Sequence, residues 1–192
     1  MKRHVAVAAL LTLALAAPAF AQESPKSAPP APSDKQTAAP TTHGQLGMTG
    51  QVLLGDLAPD FELDGSHGSP VQLSHLRGDW VLLVFADRRD HIVPLHTIES
   101  QMRVAGVRIV GVCHEKARTL DNYAARDSVP LMLADVTGEV ATMYGLYDSA
   151  HRATVPGFFV LDRDGTVRIA FLGQRLPPEE IARLTQFAVT GF

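Results

Sequence analysis

The apolar run Trp80–Phe85 is followed by a polar loop, a helical pattern and a second apolar run, Val107–Cys113. Because the first run is apolar on both faces, it predicts a central strand that is covered on both sides. Pro94 suits the first position of a helix, and Gly106 suits a helix stop. Apolar residues recur between them at three- and four-residue spacing, at Leu95, Ile98, Met102 and Ala105. The pattern predicts a strand, loop, helix and strand that cross over into a parallel sheet, with the loop at its carboxyl end, where open α/β folds place their sites.

Shorter patterns predict the remaining elements. Residues 57–63 and 71–73 alternate as two short strands, and residues 129–135 form another apolar strand. Residues 158–161 and 167–171 flank a turn whose Asp-Gly step marks a hairpin. Three further helices are predicted from apolar positions on one face: Ala117, Leu120, Tyr123 and Ala124; Val140, Met143 and Tyr144, before Gly145; and Ile181, Leu184 and Phe187, after Pro177 and Pro178. The element order predicts an α/β fold with a mixed sheet and helices on both sides.

The first fifty residues differ in composition from the rest. Residues 1–21 combine a basic start, an apolar core and the small-residue pattern Ala19-Phe20-Ala21, which together predict a cleaved secretory signal. The apolar core is shorter than the roughly 20 residues that a membrane span needs, so no span is expected after cleavage; a retained anchor is the alternative. Residues 22–50 hold five prolines among Ala, Ser, Thr and Gln, and they predict a disordered tether before a domain at 51–192.

Charge and cysteine usage narrow the functional classes. The formal net charge of −3 gives no indication of a nucleic-acid partner, and no cofactor is predicted. Export would place the chain where disulfides persist, and the bacterial periplasm is the expected compartment. The single cysteine, Cys113, excludes an internal disulfide. It leaves a buried inert thiol, a reactive thiol or an intermolecular bridge as alternatives.

Several motifs appear in a recognisable order: residues 55–63, residues 71–78, the strand ending at Phe85, Val110-Gly111-Val112, Leu133-Ala134-Asp135, Tyr144-Gly145 and residues 155–165. Together they resemble the peroxiredoxin-like proteins of the alkyl hydroperoxide reductase and thiol-specific antioxidant family. The resemblance covers nearly all of residues 55–173. It implies a thioredoxin-like, peroxiredoxin-type fold and, for the family, the reduction of peroxides by a cysteine thiolate.

The resemblance fails at the catalytic position. The family carries its peroxidatic cysteine in the first turn of the helix after the central strand, in a context like Thr-Pro-x-Cys-Thr-x-Glu. Here Pro94, Thr97 and Glu99 match, but Val93 stands at the threonine position and His96 at the cysteine position. Peroxide reduction needs a thiolate that becomes a sulfenic acid, which another thiol can reduce, and an imidazole has no equivalent step. The family's site is therefore predicted to be dismantled, and Cys-x-x-Cys chemistry is excluded by the cysteine count.

Three other residues near this end of the sheet are candidates. Cys113 ends the strand next to the central one, so it is expected on the same rim as His96 and beside His114. A thiol near imidazole could be activated, and a buried small residue is the alternative. Pro156 matches a proline of this fold that faces the active site, and it is expected to shape the rim. Arg152 lies near the family's peroxide-polarising arginine, and a solvated loop cation is the alternative.

Histidines offer another alternative. His91, His96, His114 and His151 could converge on this rim and bind a metal, although their spacing matches no standard zinc or copper motif. The charged residues 87–90, which precede His91, indicate a solvated loop.

Three functions remain open from the sequence. The first is an exported, non-catalytic or repurposed family member that binds an unknown protein or small molecule at the retained rim. The second is weak thiol-dependent peroxide or disulfide chemistry by Cys113, and the third is metal binding by histidines. The resemblance also allows a homodimer, because proteins of this fold often dimerise.

Overall fold

The computed structural model describes residues 52–66, 68–124 and 130–191. The predicted signal, the predicted tether and Val129 lie outside these residues. The strands are β1 (Glu62–Asp64), β2 (Pro70–Gln72), β3 (Trp80–Ala86), β4 (Val107–Cys113), β5 (Leu131–Ala134), β6 (Tyr147–Asp148), β7 (Ala153–Thr154), β8 (Gly157–Leu161) and β9 (Val167–Leu172). The helices are α1 (His96–Val104), α2 (Ala117–Ala124), α3 (Glu139–Met143) and α4 (Pro178–Thr190). Short 3-10 turns cover Leu73–Leu76, Arg89–His91 and Val93–Leu95.

Five strands form the main sheet, in the order β5-β4-β3-β8-β9. β3 and β4 pair in parallel, as do β4 and β5, whereas β8 runs antiparallel to both β3 and β9. β3 lies in the centre, and every residue from Val81 to Ala86 is buried. The predicted central strand, the predicted crossover unit and the mixed sheet are confirmed.

The sheet is covered on both faces by hydrophobic cores. Alternate residues of β3 point to opposite sides and contribute to one core or the other. On one face, Phe85 lies against Tyr144 and Phe159, with ring centroids 5.1 and 5.9 Å away. On the other face, Leu82 and Val84 belong to a core that also contains buried residues of α1, α2 and α4. The prediction of helices on both sides is thus confirmed, with α3 on the first face. Among the described residues, no helix is long and apolar enough to cross a membrane.

The β8–β9 hairpin is organised by the buried carboxylate of Asp162. One of its oxygens accepts hydrogen bonds from the backbone N–H groups of Asp164 (3.0 Å) and Thr166 (2.9 Å), and the other accepts one from Arg168 Nε (2.8 Å). Burial alone would raise the pKa of Asp162, but these hydrogen bonds stabilise the charged form and lower the pKa below its usual value. The predicted Asp-Gly hairpin is confirmed, with Gly165 at a positive φ of 85°.

Two sequence predictions about elements were wrong. Residues 57–63 were predicted as one strand, yet only Glu62–Asp64 is a strand, and Leu57 makes a single bridge to Thr166. Pro59 has no backbone N–H to donate, which is consistent with a ladder that starts only after it.

The buried face of α4 also differs from the predicted one. Phe187 was assigned to it, but 52% of Phe187 is exposed. The buried positions are Ile181, Ala182 and Thr185, and the Thr185 hydroxyl donates to the Ile181 carbonyl at 2.7 Å. The packing of α4 thus buries smaller residues than predicted, and the hydrogen bond of Thr185 within the helix allows its hydroxyl to be buried.

The topology brings several loops to one edge of the sheet. β3, β4 and β5 end at this edge, and the antiparallel β8 begins there. β9 runs back to the same edge, since Leu172 pairs with Gly157. Residues 87–95, 156 and 173–176 therefore meet at the carboxyl end of β3.

Candidate functional site: a pocket at the carboxyl end of the central strand

The loop after β3 is fixed to the sheet by Ile92. Ile92 lies between the 3-10 turns Arg89–His91 and Val93–Leu95, and its side chain is fully buried. The Ile92 backbone N–H donates to the Arg89 carbonyl at 2.8 Å. The side chain occupies space left by Gly111 of β4, because a Cβ atom at position 111 would lie 2.6 Å from two carbons of Ile92. The absence of a side chain at Gly111 therefore allows Ile92, and with it the loop that carries the candidate residues, to pack against β4.

His96 begins α1, and its side chain is exposed. Its Nδ1 lies 2.8 Å from the Val93 carbonyl oxygen. Because a carbonyl can only accept, this nitrogen carries a proton and donates it to the carbonyl. The Thr97 hydroxyl donates to the Pro94 carbonyl at 2.9 Å. Both polar side chains at the start of the helix thus bond back to the preceding turn.

Cys113 is the last residue of β4 and has no exposed surface. Burial, reinforced by the negative charge of Glu115, raises the pKa of its thiol from 9.0 to about 12. The thiol is therefore protonated and inaccessible in the folded chain, which is the opposite of a reactive cysteine. This environment argues against the hypothesis of chemistry at Cys113.

The charged loop is not simply solvated, contrary to the sequence interpretation. The Arg89 backbone N–H donates to Glu115 Oε1 at 2.9 Å, and the Arg89 guanidinium forms an ion pair with the same carboxylate. Only 22% of the Arg89 side chain and 15% of the Glu115 side chain are exposed. The pair connects the 3-10 turn Arg89–His91 to the segment after β4.

The four candidate histidines have different surroundings. His114 Nδ1 donates to the Asp135 carbonyl oxygen at 3.1 Å. His151 is largely exposed, and its Nδ1 lies 2.6 Å from Asp148 Oδ2, a hydrogen bond that lowers the pKa of Asp148. Within the part of the chain that the structure describes, no three His, Cys, Asp or Glu side chains come together to hold a metal. The metal hypothesis gains no support from the geometry.

Arg152 and Glu99, two further candidates, lie elsewhere in the described structure than the pocket at the carboxyl end of β3. Arg152 is exposed in the β6–β7 hairpin and has a positive φ of 53°, which is uncommon outside glycine. Glu99 is half-buried on α1 and lines a separate depression with Arg103 and Ile109. Neither residue lines the pocket that contains Pro156.

A pocket of about 230 Å³ occupies the edge where the loops meet. It brings together the predicted residues His91, Pro94 and Pro156 with residues that the sequence patterns did not single out, Gln174 and Arg175. Most of the remaining lining is apolar, contributed by Val84, Phe85, Ala86, Leu95, Gly157, Phe158, Leu176, Pro178 and Ile181, and Asp90 lines the pocket as well. An apolar pocket with a few polar groups is the usual form of a small-molecule site.

Gln174 and Arg175 were missed because they lie in a polar connection with no periodic pattern. Their position was nevertheless encoded: the Asp-Gly hairpin makes β9 antiparallel to β8, so residues after Leu172 must return to the edge at which Pro156 begins β8. A cation placed just after the second strand of that hairpin was the signal that could have identified Arg175.

His91 is half-buried in this pocket, and its Nδ1 is buried without a hydrogen-bond partner in the described structure. Burial lowers the pKa of His91 below 6.5, and the nearby positive charge of Arg175 lowers it further. The pocket thus contains an imidazole whose protonation is disfavoured both by its surroundings and by a neighbouring guanidinium.

We expect this environment to make stability depend on pH. Because the pKa of His91 is lower in the folded chain than in the unfolded chain, the unfolded chain binds more protons as pH falls through 6.5. The free energy of unfolding should therefore decrease below about pH 6.5, and His91→Gln should reduce that decrease. Urea unfolding at about pH 7.5 and 5.5 measures the effect, with His75→Gln at an exposed position as the control. An unchanged pH dependence in His91→Gln would contradict this account.

Comparison with known proteins agrees with the fold and the motif order. Residues 54–170 match the model of the AhpC/TSA family. A peroxiredoxin of Thermoplasma volcanium is 33% identical over 132 residues, covering 61% of this chain and 64% of that protein, and peroxiredoxin Bcp of Escherichia coli K12 is 26% identical over 136 residues, covering 61% and 83%. The chain thus spans just under two thirds of the length of the Thermoplasma protein.

Solved structures show the same architecture. The crystal structure of peroxidoxin BcpB from Mycobacterium tuberculosis matches with a TM-score of 0.63 and 22% identity, over 71% of this chain and 96% of that one. AhpC from Enterococcus faecalis also gives a TM-score of 0.63, with 16% identity, over 71% and 91%. These likenesses confirm the predicted thioredoxin-like, peroxiredoxin-type fold. With the family model covering more than half of its length, the chain belongs to the AhpC/TSA family.

Proposed function

We propose that this chain is a non-catalytic member of the AhpC/TSA family, and that it uses the pocket at the carboxyl end of β3 for binding. One observation supports the proposal most strongly: the only thiol of the chain, Cys113, is fully buried and has a pKa of about 12. The family's chemistry starts with a thiolate, and the folded chain offers none that a peroxide can reach.

His96 does not supply an equivalent group. Attack on the O–O bond transfers an oxygen to sulfur, and the resulting sulfenic acid is later reduced by a second thiol. An imidazole nitrogen has no such recyclable oxidation state, and here one nitrogen is already occupied by the Val93 carbonyl. The pocket, by contrast, is lined by side chains suited to holding a small molecule.

The proposal includes export. Its support is the basic start, apolar core and cleavage pattern of residues 1–21, which are typical of a bacterial secretory signal. Sequencing the amino terminus of protein recovered from the periplasm would test it: the expected first residue is Gln22, and an intact Met1 in the cytoplasm would contradict it.

Peroxide consumption tests the catalytic part of the proposal. The purified protein, supplied with a thiol reductant, should consume peroxide no faster than the reductant alone, and Cys113→Ser should behave identically. His96→Cys should consume peroxide faster than both, because a thiol at a helix start has a lowered pKa. Ser100→Cys, an exposed thiol further along the same helix, is the matched control and should gain less. Turnover by the natural protein that is lost in Cys113→Ser would overturn the proposal.

A further inference from the structure

Most of the side chains that line the pocket at the carboxyl end of β3 are apolar. Val84, Leu95, Phe158, Leu176 and Ile181, which lie on the α1 and α4 face of the sheet, contribute aliphatic and aromatic surface, and three prolines complete it. Proline and these side chains offer no hydrogen-bond donors to a ligand, so this part of the pocket favours carbon over polar atoms.

Two basic groups, His91 and Arg175, also line the pocket. They are close enough for the charge of Arg175 to oppose protonation of His91. His91 Nδ1 is buried without a partner in the described structure, so it lacks the hydrogen bond that a buried polar atom normally makes. A negatively charged group between the two would relieve their repulsion and could accept hydrogen bonds from both.

Asp90 is the acid that lines the same pocket, and it would repel an anion. Its carboxylate, however, lies 4.0 Å from Arg88 and 4.0 Å from Arg89, so its charge is partly balanced on the loop itself. Within the described residues, Asp90 is the one acid that lines the pocket with Arg175, and its charge is already shared with Arg88 and Arg89. The charges therefore favour a bound anion beside Arg175 over a bound cation beside Asp90.

The size of the pocket limits the ligand. Its volume of about 230 Å³ exceeds the roughly 150 Å³ of a cavity that holds benzene, and it is smaller than most drug-sized sites. As the ligand class for the binding function proposed above, we propose a small monocarboxylate with an apolar body: the carboxylate lies at His91 and Arg175, and the body lies against Leu95, Phe158 and Leu176. A planar carboxylate matches the planar guanidinium of Arg175. A second charged group on the ligand would have to lie against apolar side chains, so a single charge is favoured.

Four probe molecules separate the contributions of charge and apolar body. Phenylacetate carries both, phenylacetamide removes the charge, phenethylammonium reverses it, and acetate removes the ring. Titration of the full protein by calorimetry or NMR at about pH 6.5 should give phenylacetate a Kd at least about tenfold lower than any of the other three, as expected for a hydrogen-bonded charge in a partly apolar site. Equal binding of phenylacetate and phenylacetamide, or tighter binding of phenethylammonium, would overturn the proposed ligand class.

Variants test where the carboxylate lies. Arg175→Gln should weaken phenylacetate binding about tenfold and leave phenylacetamide binding unchanged. Arg163→Gln removes an exposed cation at the far end of β8 and should change neither. If Arg163→Gln weakens binding as much as Arg175→Gln, the effect is one of net charge and the assigned position is wrong.

His91 provides a second readout. Bound carboxylate should favour protonation of His91, so phenylacetate affinity should rise between about pH 8 and 6, and His91→Gln should lose that rise. The charged groups that act on His91 are Asp87, Arg88, Asp90 and Arg175, and the His91→Gln variant keeps all four. A rise retained in His91→Gln would contradict the assignment.

The outcomes also separate the ligand class from the proposed function. Failure of phenylacetate to bind, in a protein that does not consume peroxide, overturns the ligand class alone. Turnover of peroxide that depends on Cys113 overturns the non-catalytic function, whatever phenylacetate does.

Discussion

In the folded protein, the Cys113 thiol should react with a thiol reagent about a thousandfold more slowly than in the unfolded chain. A pKa of about 12 in place of 9.0 lowers the thiolate fraction about a thousandfold at neutral pH, and the thiolate is the reacting species. Complete burial of the side chain adds a steric barrier that slows the reaction in the same direction. Labelling with a chromogenic disulfide in buffer and in concentrated urea measures the two rates directly.

A thiol placed at an exposed position calibrates this experiment. Ser100→Cys, combined with Cys113→Ser, should react in buffer at nearly the rate of the urea-unfolded chain, because Ser100 is exposed on α1. If natural Cys113 reacts in buffer as fast as the thiol introduced in that variant, Cys113 is accessible, and peroxide chemistry at Cys113 returns as an explanation of the protein's role.

The second large effect is expected at Ile92. This side chain is fully buried between the loop and Gly111, so Ile92→Ala removes a buried contact and leaves a cavity. Comparable truncations cost roughly 2–5 kcal/mol of unfolding free energy. Because Ile92 holds the turns that carry His91 and Pro94, the same variant should also weaken any ligand of the pocket. Urea unfolding gives the first quantity, and ligand titration gives the second.

Two further variants make this test specific. Val104→Ala truncates an 87% exposed side chain on α1 and should change stability by less than about 0.5 kcal/mol. Gly111→Ala places a Cβ 2.6 Å from Ile92 and should cost about 1–3 kcal/mol in the natural background, but less in the Ile92→Ala background. Additive losses in the double variant would mean that the two residues do not share this contact.

The sequence predicted the elements whose pattern follows directly from burial. β3 and β4 are apolar because both of their faces are covered, and Gly106 ends α1 at a positive φ of 72°. The hairpin was predicted from its turn chemistry, which is local. These features depend on neighbouring residues or on continuous burial, and such signals can be read from one chain.

Features that depend on distant contacts were predicted less well. Phe187 is apolar but lies outside the buried face of α4, because the packing of α4 on the sheet selects Ile181 and Ala182 instead. The Arg89–Glu115 pair joins residues 26 positions apart, which no local pattern reveals. Tertiary geometry decides these cases.

The candidate site shows the same division. His91, Pro94 and Pro156 were identified from the sequence and do line one pocket, whereas Arg175 was missed. The four histidines were considered together because imidazole is a common ligand, yet His114 and His151 bond to Asp135 and Asp148. Residue type alone could not indicate which histidine lacks a partner; only the fold distinguishes His91.

The most direct test of the central claim is the mass of the peptide containing Cys113 after the folded protein has been exposed to equimolar peroxide and quenched with a thiol-blocking reagent. A family member that acts on peroxide gains oxygen on its catalytic sulfur. The non-catalytic account predicts that this peptide carries no added oxygen in the folded protein and gains it only after unfolding. Oxygen added rapidly to Cys113 in the folded chain would contradict the account.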